Sequence, residues 1–309
     1  MPLDPQAREY LNFQKEIGAP NVIVDGVYLT RKASHENLQI AGPVAGTAEI
    51  SHRFISTQTA DIAIRIYTPK GEGPFGGMMF FHGGGWVLNH INKYDSQLVD
   101  ISAGTNSVVI SVNYQKSPEH KFPIPFNDCY SATEWFFEHA TEMNVDVTKI
   151  GVAGDSAGGT LSAAVSLRSR DEKVFKLAYQ ALMYPATALN FETPSYLEHA
   201  IGLGLTREGM MWFWDAYIGE ADKKNPYAVV SEASDLSNLP PAIIAIPEYD
   251  VLRDDTLSYS VALKKAGNIV INQEFPGQIH GFFAHAGMVD ASYELRRFLI
   301  ESINGLIRN

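Results

Sequence analysis

The chain has a single cysteine, Cys129, among 309 residues. No intrachain disulfide can form, so a small secreted scaffold held by cross-links is excluded. Neither Cys-x-x-Cys nor His-Glu-x-x-His occurs, so a metal site has no support and none is expected. No window approaches the roughly 20 apolar residues that cross a bilayer. The opening Met-Pro-Leu-Asp-Pro lacks a signal peptide's apolar stretch. A cytoplasmic location is expected. Basic residues are in deficit: the formal net charge is −11 and the pI about 5.3. This balance argues against nucleic acid and anionic membranes as main partners, because both would be repelled.

What remains is a soluble globular composition, 45% hydrophobic and 19% charged, long enough for a sizeable core. Asp4-Pro5 reads as a helix start, with Ala7, Tyr10, Leu11 and Ile17 at helical spacing before Gly18. Residues 21–50 read as loop plus short helix. Ile62, Ile64 and Ile66 alternate with more polar neighbours, as in a half-exposed antiparallel strand. Residues 78–81 and 108–112 are continuous apolar runs, the pattern of strands covered on both faces. Helices are expected at 94–103, 127–141, 257–266 and 293–303, and strands at 150–153, 177–183, 242–247 and 269–275. Cys129 falls in one such helix beside Tyr130 and Trp135, where an inert buried thiol is expected. This alternation predicts an α/β fold with a mostly parallel sheet and helices on both faces. Residues 185–239 break the alternation, and their Met210, Met211, Trp212, Phe213, Trp214 and Tyr217 are too aromatic for an ordinary exposed helix. They read as an insertion.

The most informative stretch is 150–159, Ile-Gly-Val-Ala-Gly-Asp-Ser-Ala-Gly-Gly, with Gly-x-Ser-x-Gly centred on Ser156. A strand pattern precedes it and a helix pattern follows. A sharp turn of that kind pushes the serine out at the positive end of a helix, and Gly154 and Gly158 let the two backbones approach. A serine hydroxyl becomes a nucleophile only when a base takes its proton and a third group orients the base. Ligands of open α/β sheets bind at the carboxyl edge, so the partners are sought after later strands. Of 9 histidines, His280 lies in a loop after the strand at 269–275, with His285 as its rival. His139 and His199 fall in helical segments and read as surface residues. Asp250 follows the strand at 242–247 almost at once; Asp254 reads as a helix cap and Glu248 as a weaker rival. His82-Gly-Gly-Gly-Trp86 follows the strand at 78–81. Consecutive glycines there can turn backbone amides towards a reacting oxygen. That loop has no nucleotide-binding pattern.

Taken in order, His-Gly-Gly-Gly-Trp, Gly-Asp-Ser-Ala-Gly-Gly, Glu-x-Asp-x-Leu-Arg-Asp and His-Gly-Phe resemble the hormone-sensitive lipase family of α/β-hydrolases. Asn113-Tyr114, Ser117-Pro-Glu-His-Lys-Phe-Pro123, Asn225-Pro-Tyr227 and Leu236-Ser-Asn-Leu-Pro-Pro241 match further blocks, over about residues 60–305. Gln115 stands where relatives usually carry arginine. The resemblance implies Ser156 as nucleophile, Asp250 as orienting acid, His280 as base, and the amides of Gly83, Gly84 and Ala157 as oxyanion donors. His82 would hold the glycine loop, and Glu119 and His120 would be a buried structural pair beneath it. It also implies a helical cap. Residues 1–50 and 185–239 would cover a core of 51–184 and 240–309, with Trp86, Trp212, Phe213, Tyr217 and Phe282 touching substrate.

The expected function is hydrolysis of short- to medium-chain acyl esters through an acyl-enzyme, with no cofactor. Activity should fall at acid pH, because an imidazolium cannot accept the proton. Amide hydrolysis of the arylacetamide type is an alternative using the same groups. A non-catalytic ligand receptor on this fold is a remoter one, disfavoured because His280 is present. A small-molecule ester is the expected partner, and relatives suggest a homodimer.

Overall fold

A computed structural model describes residues 1–219 and 223–308; residues 220–222 of the expected insertion, and Asn309, lie outside the described residues. Helices α1 (Pro5–Glu16) and α2 (Gly26–Glu36) open the chain. Asp4 Oδ1 accepts the amides of Gln6 and Ala7 at 2.8 and 3.1 Å, the expected cap. Then follow β1 (Glu49–Ser56), β2 (Asp61–Thr68), β3 (Phe75–Phe81), α3 (Asp95–Thr105), β4 (Ser107–Val112), α4 (Ile124–His139), β5 (Val145–Asp155) and α5 (Ala157–Glu172). The rest comprises β6 (Gln180–Met183), α6 (Pro194–Glu198), α7 (Arg207–Ile218), β7 (Ala242–Tyr249), α8 (Arg253–Lys265), β8 (Val270–Ile279) and α9 (Ala291–Ile307).

The strands form one 8-stranded sheet in the order β1-β2-β4-β3-β5-β6-β7-β8. β1 pairs with β2, and β2 with β4, antiparallel; every other pairing is parallel. Side chains alternate across the sheet with period two. Met79 and Phe81 of β3 join the core that holds Phe126 and Phe136 of α4, Leu161 of α5 and Leu263 of α8. Met78 and Phe80 face the opposite core, with Leu98 of α3 and Leu299 of α9. Each face is therefore covered by helices, which is why β3 and β4 are buried at every residue. Cys129 lies in the first core, and burial pushes its thiol well above the ordinary value. Among the described residues no helix is long and apolar enough to cross a membrane.

β1 was not among the expected strands, and only its first two residues fall in the segment 21–50 read as loop plus short helix. It is an edge strand with only Ile55 buried, so it needs no apolar alternation. β3 begins at Phe75, earlier than the apolar run, because two glycines continue it. A Cβ on Gly77 would come within 2.8 Å of Ile150 Cγ1 and 3.0 Å of Phe136, so packing there admits no side chain.

Candidate active site

The turn after β5 is built from clashes avoided. A Cβ on Gly158 would lie 1.9 Å from the Phe81 carbonyl oxygen, and one on Gly154 would lie 2.3 Å from the Gly158 carbonyl. Only glycines let α5 start so close to the end of β3. Between them Ser156 adopts φ 54° and ψ −123°, outside the usual regions for a side-chain-bearing residue. Its amide donates to the Met183 carbonyl at the end of β6 (2.8 Å), which holds the turn against the neighbouring strand.

His280 follows β8 and Asp250 follows β7, so the carboxyl ends of β5, β7 and β8 bring all these groups to one edge of the sheet. His280 Nε2 lies 2.9 Å from Ser156 Oγ, and His280 Nδ1 lies 2.7 Å from Asp250 Oδ2. A carboxylate only accepts, so Nδ1 carries the imidazole proton and Nε2 is left to accept from the serine hydroxyl. Asp250 Oδ1 accepts the Leu252 amide at 2.9 Å, and the carboxylate is buried. Its orientation is therefore fixed from both oxygens. The rivals are engaged elsewhere. Glu248 accepts the Gly277 amide (2.7 Å), and Asp254 accepts the Ser195 amide (2.8 Å). His285 stacks on Tyr10 of α1 with centroids 3.9 Å apart, and burial holds it well below the ordinary imidazole range. His199 is buried rather than on the surface.

The glycine loop departs from expectation at one amide. Gly83 N–H donates to Asp155 Oδ1 at 2.8 Å, so it is occupied and points away from any reacting oxygen. The amides of Gly84, Gly85 and Ala157 donate to no other group among the described residues. Gly84 and Gly85 line the same cavity as Ser156 and His280. Asp155 also accepts from Tyr94 Oη (3.1 Å), and burial raises it to about 6. His82 is buried with Nδ1 2.8 Å from the Gly83 carbonyl oxygen, and its own carbonyl accepts from Tyr114 Oη at 2.7 Å. Glu119 is not a buried partner of His120. Its side chain is 54% exposed, and it forms a bidentate pair with Arg31 of α2. Arg31 also reaches the carbonyls of Val87 and Ser117, tying α2 to the loops.

The cavity over Ser156 measures about 610 Å³. Of the aromatics expected to touch substrate, Phe213 lines it. Trp86 does not: it is fully buried and stacks on Tyr217 with centroids 4.3 Å apart. Tyr217 is buried between Trp86 and Phe122, and Phe282 packs on Tyr184 and Phe275. Trp212 packs against Phe213 and the core from outside the cavity. These rings pack on other protein side chains and do not line the cavity. Residues that the sequence reading missed take their place: Tyr10 and Leu11 of α1, Leu88, Lys93, Leu205 and Met210. α1 carried a visible helical pattern, but nothing local in it says that one side faces a ligand.

A serine, an imidazole and a carboxylate at the carboxyl ends of β5, β8 and β7 of a mostly parallel sheet define an α/β-hydrolase. The chain belongs to that family: the model of the α/β-hydrolase fold matches residues 78–284, and the ordered motifs place it in the hormone-sensitive-lipase-type branch. It is 35% identical over 259 residues to Esterase LipI of Mycobacterium tuberculosis, covering 82% of this chain and 80% of that one. It is 34% identical to an arylesterase of Saccharolobus solfataricus over 91% of this chain and 92% of the relative. Among solved structures, a hyperthermophilic esterase from Pyrobaculum calidifontis superposes with a TM-score of 0.92 at 32% identity, covering 99% of both chains.

Proposed function

We propose that the chain is a serine carboxylesterase acting on short- to medium-chain acyl esters. The observation that carries this is the unbroken relay from Ser156 through His280 to Asp250, at 2.9 and 2.7 Å, opening on the 610 Å³ cavity. Ser156 Oγ adds to the ester carbonyl as its proton passes to His280 Nε2. The new oxyanion is held by the amides of Gly84, Gly85 and Ala157, with Gly83 replaced in that role because its N–H belongs to Asp155. The tetrahedral adduct collapses, and protonated His280 hands its proton to the leaving alcohol. Water then repeats the sequence on the acyl-enzyme. Each oxyanion donor is worth about 3 kcal/mol of barrier.

Residues 1–50 and 185–239 act as the cap of this enzyme. Tyr10 and Leu11 from the first and Met210 and Phe213 from the second close the cavity and bound the acyl chain. With a single cysteine there is no disulfide to lose in a reducing cytoplasm, where we place the enzyme. The receptor reading needs a missing base, and the engaged His280 counts against it.

The test compares p-nitrophenyl butyrate with p-nitrophenyl palmitate, in the wild type and in Ser156→Ala. Butyrate should turn over faster, with a burst of nitrophenol equal to the enzyme present. Ser156→Ala should lose turnover and burst while keeping its circular dichroism. Faster palmitate hydrolysis refutes the size assignment, and near-wild-type turnover in Ser156→Ala refutes the nucleophile.

A further inference from the structure

Lys93 lies at the end of a short helical turn (Ile91–Tyr94) before α3 and lines the cavity together with Ser156, His280 and His285. Its Nζ donates to Asn89 Oδ1 at 3.0 Å and forms no salt bridge among the described residues. An ammonium has three donors, so donor capacity is left unused. Burial lowers its pKa, with Asp155 opposing that shift, as expected of a cation short of a counter-charge.

The cavity is unusual for this chain. The protein carries 35 acidic residues against 24 basic ones. Yet among the described residues lining the cavity Asp155 is the sole carboxylate, and its oxygens already accept from Gly83 and Tyr94. Lys93 and, at the rim, exposed Lys15 supply positive charge facing the cavity. His285 adds a wall that burial keeps neutral, able to offer an N–H to an anion.

Resting on the ester-hydrolase reading, we propose that the enzyme takes esters carrying a free carboxylate, such as monoesters of short dicarboxylic acids, and that Lys93 binds that carboxylate. The leucines, Met210 and Phe213 would contact the methylenes between the two ends. Lys15 would draw the anion in from a surface of overall negative charge.

The experiment follows hydrolysis of monoethyl glutarate and of the neutral ethyl hexanoate by pH-stat, in the wild type, Lys93→Met and Lys93→Arg. The readout is the ratio of kcat/KM for the anionic ester to that for the neutral one. Lys93→Met should lower the ratio about tenfold, mainly through KM for monoethyl glutarate, as loss of one charged hydrogen bond implies. Lys93→Arg should restore most of it. A ratio unchanged in Lys93→Met, because both esters suffer alike, would show that Lys93 only steadies Asn89 and the glycine loop, and overturns the proposal. Wild-type hydrolysis of ethyl hexanoate without any of monoethyl glutarate also overturns it, leaving the esterase reading intact. Hydrolysis of neither ester sinks both.

Discussion

At Gly158 the turn that carries Ser156 has no room for one carbon atom. The group an added Cβ would meet, the Phe81 carbonyl at 1.9 Å, is backbone at the end of a buried central strand and cannot rotate aside. Gly158→Ala must therefore push α5 away from β3, carrying Ser156 and the Ala157 amide with it. A displacement of about 1 Å at reacting groups costs on the order of 100-fold in rate. The variant should fold with a lowered Tm and lose about that factor in kcat for p-nitrophenyl butyrate, measured with burst titration to count competent sites. Near-normal kcat would mean that the turn tolerates the shift. The same residue scale separates what was legible from what was not. Ser156, Asp250 and His280 each follow a strand pattern closely, so position along the chain fixed position in space. The direction of an amide carries no such mark. Gly83, Gly84 and Gly85 are chemically identical in the sequence, and the choice between them rests on φ, 109° at Gly84 and 59° at Gly85, and on Asp155 capturing Gly83. Aromatic side chains were misread for a related reason: composition shows that Trp86, Tyr217 and Phe282 are buried somewhere, not whether the neighbour is ligand or protein.

At the scale of elements, α1 belongs to the site although it lies far away along the chain. Asp4 caps it, and the Asp4 amide donates to the Gly277 carbonyl (3.0 Å) near the end of β8, joining helix to sheet just before His280. Tyr10 of α1 then stacks on His285 and lines the cavity. Asp4→Ala removes the side-chain acceptor at a cost of about 1 kcal/mol. Because α1 buries only Ala7 fully, that cost should appear as local fraying more than as global unfolding. Hydrogen exchange in residues 5–16 should quicken and KM for p-nitrophenyl butyrate should rise, while kcat and Tm stay close to wild type. Equal loss of kcat and KM control would place α1 in positioning the relay instead. The helix itself was readable from its cap and spacing, whereas its docking was not, since docking depends on contacts made hundreds of residues later. β1 was unreadable for the opposite reason. An exposed edge strand obeys hydrogen bonding to β2 and leaves no hydrophobic period to find.

For the whole molecule the pH dependence of stability turns on carboxyls that burial raises above their ordinary value. Asp255, in the first turn of α8, is 2% exposed. Its Oδ2 receives a long hydrogen bond from the Ala188 amide (3.4 Å), and its Oδ1 has no partner among the described residues. Burial, reinforced by the charges of Asp250 and Asp254, raises it from the ordinary 3.8 to about 8. A raised folded-state value means that the native chain holds this proton more tightly than the unfolded chain does. The resulting stability is complete below 3.8 and is lost progressively as pH climbs to about 8. Asp155, raised to about 6, acts in the same sense over a narrower window. Asp255→Asn removes the ionisation and keeps the shape. Its Tm relative to wild type should therefore rise steadily from pH 5 to pH 8, because Asp155 and every other titrating group are common to both proteins and cancel in the difference. A Tm difference that stays flat over that range would mean that Asp255 ionises in the native state as readily as in the unfolded chain, with water or a neighbour supplying the partner that Oδ1 lacks.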